Sequence, residues 1–75
     1  MTLDQVPPGS KVRIETIAGE DALVQRLMEF GLLEGEVIEV ISLAPLGDPL
    51  EIRCGHSRLS LRRREAQGVT VAPLA

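Results

Sequence analysis

Aromatic rings are nearly absent from this chain, which has one phenylalanine, Phe30, and neither tryptophan nor tyrosine. A groove for proline-rich peptides is built from several rings, and surfaces that read single-stranded nucleic acid stack bases on Phe, Tyr or Trp. Both functions are excluded. The lone cysteine, Cys54, cannot close an intramolecular disulfide and suits a reducing compartment. No stretch comes near the ~20 apolar residues that span a bilayer. The opening run Met1–Pro8 has neither the basic start nor the apolar centre of a secretory signal. These absences predict a cytoplasmic protein with no membrane-inserted segment of its own.

What is present suffices for one small domain, residues 1–75. Apolar residues make up 44% and charged residues 25%, a globular balance. The net charge of −3 hides a split. Residues 1–51 set ten acids against Lys11, Arg13 and Arg26, a balance of −7. Residues 52–75 set Arg53, Arg58, Arg62, Arg63 and Arg64 against Glu65, a balance of +4. A basic end fits an acidic protein face or an anionic membrane surface, and it also guards a strand edge against aggregation. The acidic majority repels phosphates, so no nucleic-acid partner is expected.

Hydrophobic periodicity then changes along the chain. Lys11–Ile17 alternates at period two and predicts a strand with Val12, Ile14 and Thr16 facing inward. Between Gly19 and Gly31 the period becomes helical. Leu23, Leu27 and Phe30 form the apolar arc, with Val24 and Met28 at its margin. Gly31 fits the left-handed residue past the helix end, with Leu32 folding back on Leu27. Glu36–Ala44 predicts a second strand, and Pro45–Pro49 a loop that two prolines and a glycine keep out of any strand.

Leu50–Cys54, Gly55-His56 and Ser57–Leu61 form the most legible unit. A Gly-X pair suits a two-residue type II′ hairpin, which sets Cys54 against Ser57, Arg53 against Arg58, Ile52 against Leu59 and Leu50 against Leu61. Arg53 and Arg58 then repel as direct neighbours, and Glu51 lies within diagonal reach of Arg58 to relieve them. Arg63–Ala66 predicts one helical turn, and Gly68–Ala72 a last strand stopped by Pro73. About five short strands with one helix after the first predict a mostly β fold. The expected architecture is a strongly bent antiparallel sheet closing towards a barrel.

Groups that make or break bonds are scarce. Cys54 and His56 flank a tight turn with nothing to orient the imidazole, so no catalytic pair is expected. As metal ligands they supply one Cys and one His, short of the four ligands of a closed zinc site. A site for Fe2+ or Zn2+ through Cys54 and His56, or bridging a weak homodimer through His56, is the minor alternative. Gly9-Ser10-Lys11 lacks the upstream glycine and the following hydroxyl of a phosphate loop. A binding surface remains, with Val24 and Met28 at the helix margin.

Several segments carry a family resemblance. Arg26-Leu27, Glu29-Phe30-Gly31-Leu32 and Gly35 resemble the first motif of the FeoA family, ferrous iron transport protein A. Ala44–Pro49 resembles its proline-glycine loop, Leu59–Ala66 its basic segment and Val69–Val71 its closing strand. The likeness covers residues 3–72 in order. Ser60 replaces a usual alanine and Phe30 a common aliphatic. The resemblance implies an SH3-like barrel. It also implies a non-enzymatic partner of FeoB, the membrane ferrous iron transporter with a GTP-binding domain, held at the inner membrane face through it. A similar module occurs in iron-dependent transcription regulators, which gives the runner-up reading. From the helix pattern and the charge split, the segment Val24–Leu33 is expected to dock by its apolar margin, with Val24, Arg26, Met28 and Glu29 of the helix and Arg58 and Arg62 of the basic end as the partner-binding residues.

Overall fold

The structure is a computed structural model that describes residues 1–74. Its elements are a single 3-10 turn at Leu3–Gln5, β1 (Lys11–Ile17), α1 (Asp21–Glu29), β2 (Val37–Leu43), β3 (Leu50–Cys54), β4 (Ser57–Leu61), α2 (Arg63–Ala66) and β5 (Val69–Pro73). All five strands join one antiparallel sheet in the order β4–β3–β2–β1–β5. The last strand thus returns to pair with the first, as a sheet must when it curls towards closure.

The hairpin of β3 and β4 adopts the expected register at every pair, from Cys54–Ser57 to Leu50–Leu61. Gly55 supplies the positive φ, +60°, that the first turn position of type II′ needs. The inner row of Leu50, Ile52, Cys54 and Leu61 is buried, and Leu59 is half-buried. Arg58 pairs with Glu51 and Arg53 with Glu39, which relieves the two opposed arginines.

Helix α1 stops as its sequence requires. Gly31 takes φ +92°, the Leu32 N–H donates to the Leu27 carbonyl at 3.0 Å, and the Gly31 N–H donates to that of Met28 at 3.0 Å. These are the two bonds of a Schellman stop, and Leu27 and Leu32 are both fully buried.

Two expectations fail for local reasons. Thr16 is exposed, and Ile17 turns towards the core in its place. The pairing of β1 with β5 steps from Ile14–Val71 to Thr16–Thr70, so β1 carries an extra residue there. That bulge shifts the alternation by one and bends the strand. Phe30 leaves the apolar arc: it is the residue at which α1 ends, and it is 45% exposed.

The amino-terminal segment joins the core without any periodic signal. Thr2 and Gln5 bracket the 3-10 turn, with the Thr2 N–H donating to Gln5 Oε1 at 2.9 Å. Leu3 and Val6 are buried, and Thr2 bridges to Thr70 of β5.

The carboxy-terminal strand is seated by a close backbone approach. The Ala18 N–H donates to the Gly68 carbonyl at 2.8 Å, and a Cβ added at Gly68 would lie 2.1 Å from the Ala18 carbonyl oxygen. Gly68→Ala is expected to lower stability by about 3 kcal/mol, because backbone rather than a flexible side chain must yield. Urea titration checks this, and an unchanged midpoint would show that the two segments part easily.

Candidate functional site

Two of the exposed large apolar residues, Met28 and Leu33, meet in a groove beside α1. Bending β1 at its bulge brings Ile17 up against the helix. The Schellman stop then turns the chain so that Leu32, Leu33 and Glu34 run back along it. Ile17, Val24, Met28, Leu32, Leu33 and Glu34 line an open groove of about 280 Å³. Leu32 forms its fully buried floor, Val24 is half-buried, and Met28 and Leu33 are 50% and 41% exposed. Burying a side chain of this size is worth about 1.5–3 kcal/mol, so the half-exposed pair leaves a sizeable driving force unused. Glu34 on the wall gives the groove a negative charge at its side.

The expected partner-binding residues fall in three places. Val24 and Met28 line the groove, whereas Glu29 is exposed at the end of α1 and is not among the groove's lining residues. Arg26 turns the other way: its Nη2 lies 3.3 Å from both carboxylate oxygens of Glu65, tying α1 to α2. Arg58 and Arg62 sit on the far side of the sheet's order, on and just after β4. Arg58 is held by Glu51, and the Arg62 guanidinium has no acidic partner among the described residues.

The run Arg62–Glu65 is not a uniform basic patch. Glu65 accepts the Arg62 backbone N–H at 2.9 Å as well as the Arg26 pair. Arg63 reaches inward, donating from Nη1 to the Asp4 carbonyl at 2.7 Å while its backbone N–H donates to Asp48 Oδ1 at 3.0 Å. It thereby joins the amino-terminal turn, the β2–β3 loop and α2. Composition assigns Arg63 to the basic surface, and only the structure reveals this strut. Ile17 was likewise absent from the expected site, because the bulge that turns it inward leaves no periodic trace.

Cys54 and His56 do not converge. Cys54 is buried and its thiol contacts the Gly31 carbonyl oxygen at 3.4 Å, which joins the hairpin to the end of α1. His56 is exposed at the turn. No group of three or more His, Cys, Asp and Glu side chains comes together among the described residues. Burial, with a smaller push from the Glu36 carboxylate, raises the Cys54 pKa above its ordinary 9.0.

The FeoA domain family model matches residues 1–73. A Porphyromonas gingivalis Fe(2+) transport protein A/Fe(2+) transporter FeoB fusion protein is 32% identical over 71 residues, which is 95% of this chain and 8% of that protein. The chain therefore spans under a tenth of that curated relative. Among solved structures, the FeoA protein from Chlorobium tepidum is 41% identical, with a TM-score of 0.95 over 100% of this chain and 71% of that one. Stenotrophomonas maltophilia FeoA, described as an SH3 domain protein complexed with zinc, is 33% identical, with a TM-score of 0.84 over 96% of this chain and 89% of that one. A manganese-dependent transcriptional repressor shares the fold alone, at 13% identity and a TM-score of 0.88 over 99% of this chain and 41% of that one. The five-stranded barrel-like sheet is thus SH3-like.

Folding raises the Cys54 pKa, so the folded state favours the neutral thiol. The stability this contributes is whole below the unfolded pKa and is lost as pH rises through the folded one. Unfolding free energy should therefore decline above about pH 9, and Cys54→Ala should flatten that decline. Denaturant titrations at about pH 8 and about pH 10 measure it, and an equal slope in both proteins would contradict the assignment.

Proposed function

The chain belongs to the FeoA family, and from that membership we propose that it is an accessory domain of ferrous iron uptake that docks on the membrane transporter FeoB and catalyses no reaction itself. The observation that carries this reading is the open apolar groove of Ile17, Val24, Met28 and Leu33. An open apolar groove suits one face of an amphipathic helix, whose apolar side chains recur on one side. Glu34 on the groove wall favours a basic residue flanking that helix and opposes an acidic one. Arg26, held by Glu65, sets the angle of α1 and hence the shape of the groove.

Docking of this kind is weak by area and becomes effective when the partners are held together. Joining two binding units in one polypeptide raises their effective concentration to the millimolar range without any new contact. The fusion of an FeoA-like segment with FeoB in a relative fits that logic. Among the described residues no helix is long and apolar enough to cross a membrane.

Met28 and Leu33 are exposed, and their replacement should alter folding stability by no more than about 0.5 kcal/mol each. The double variant Met28→Glu, Leu33→Glu is expected to lose co-purification with FeoB from detergent extracts of cells expressing both proteins. Its thermal midpoint should stay near that of the parent. Full retention of FeoB by the variant would sink the groove as the docking surface.

A further inference from the structure

The two edges of the sheet differ. The outer edge of β5 is covered by the amino terminus, where the Val71 N–H donates to the Met1 carbonyl at 2.8 Å and Thr2 bridges Thr70. The outer edge of β4 has no such cover. A two-residue hairpin makes Cys54–Ser57 a hydrogen-bonded pair, and Ile52–Leu59 and Leu50–Leu61 follow at period two. The backbone N–H and C=O groups of Arg58 and Ser60 therefore point away from β3. Among the described residues they have no partner within the chain. Both residues are exposed, and the free stretch ends where the Arg62 N–H turns to Glu65.

Side chains along this edge carry a pattern. Arg58, Ser60 and Arg62 follow one parity, on the outer face. Leu59 and Leu61 take the core face, Leu61 fully buried and Leu59 half-buried at the rim. We infer that β4 accepts an extended acidic segment of a partner protein as an added strand. Four outward backbone groups supply its hydrogen bonds. Side chains opposite Arg62, which has no acidic partner among the described residues, and opposite Arg58, which shares its guanidinium with Glu51, are acidic, and side chains opposite Leu59 and Leu61 are apolar, because cross-strand pairs are stabilised by opposite charge and by apolar contact. The recognised segment thus has two acidic residues four positions apart, with apolar residues second and fourth.

The charges select against a second copy of this chain. Antiparallel pairing of β4 with itself sets Arg58 against Arg58, against Arg62, or diagonally beside Arg58, depending on register. Basic side chains on an edge oppose such pairing and leave an acidic strand favoured. This surface is separate from the groove on α1 and does not depend on the reading of FeoB as its occupant.

The probe is the end-blocked peptide Gly-Glu-Val-Thr-Val-Glu-Gly, titrated into the isotope-labelled protein. Amide hydrogen exchange at Arg58 and Ser60 is expected to slow, and binding should weaken with added salt. Ser60→Pro removes an outward donor without touching the β3 ladder, so it should weaken binding about tenfold. Should the proline variant not fold, Arg62→Glu, which leaves the edge backbone intact, should weaken it several-fold. Met28→Glu in the groove should leave it unchanged. Unaltered exchange at Arg58 and Ser60, equal binding of a peptide with lysine in place of glutamate, or slowed exchange on concentrating the protein alone would each overturn the inference.

Discussion

Two extra residues, one in β1 and one in β2, make the rest of this structure possible. Five short strands at strict alternation would have only their intrinsic twist with which to curl over one another. The pairing of β1 with β5 shifts between Ile14 and Thr16, and that of β2 with β3 between Val40 and Ser42. Each bulge tightens the local twist and bends its strand. The inner rows Val12–Ile14, Ile38–Val40, Leu50–Ile52 and Val69–Val71 then face one another across a single core. The same bend in β1 lifts Ile17 to the side of α1. Closing the core and opening the groove are thus one event: the residue that leaves the alternation becomes a wall of the candidate docking surface.

Charge plays two roles that the overall count conceals. Arg26, Arg63 and Glu65 act as struts. They link α1 to α2, and α2 to the amino-terminal turn and the β2–β3 loop, where few apolar side chains are available for the purpose. Exposed pairs such as Arg26–Glu65 contribute little free energy each. Their value is in orientation, because α1 is short and only Leu27 of its residues is fully buried. The second role is at the surface, where Glu34 lines the groove and basic residues edge β4. The opposite signs suit these faces to different partners.

The parts of the fold written in local chemistry were legible beforehand. The β3–β4 register follows from a turn dipeptide and the alternation around it, and the end of α1 follows from one glycine and a returning leucine. Helix α2 and β5 lie where their patterns put them. What escaped was set by tertiary structure. A bulge changes the phase of a strand without changing its composition, so Thr16 read as inward and Ile17 did not. Phe30 continues the helical spacing, yet the backbone leaves the helix at that residue. The amino-terminal turn is held by Thr2 and Gln5 and by burial of Leu3 and Val6, none of which has a period. Of the candidate site, Val24 and Met28 were legible as apolar residues at the margin of an amphipathic helix. Ile17 across the groove was not, because the bulge in β1 sets its direction. Arg63 was read as surface charge because an arginine's direction cannot be inferred from a run of arginines.

The module has its one thiol buried and its one histidine on a turn. The most direct measurement uses its two methionines, Met1 and Met28, which are equally exposed at 50%. Their methyl groups, isotope-labelled, would be followed as FeoB in detergent micelles is added, with empty micelles as reference. The account predicts that the Met28 signal broadens or shifts while that of Met1 persists. Equal response of the two, or no response from Met28 under conditions where FeoB is bound, would contradict it.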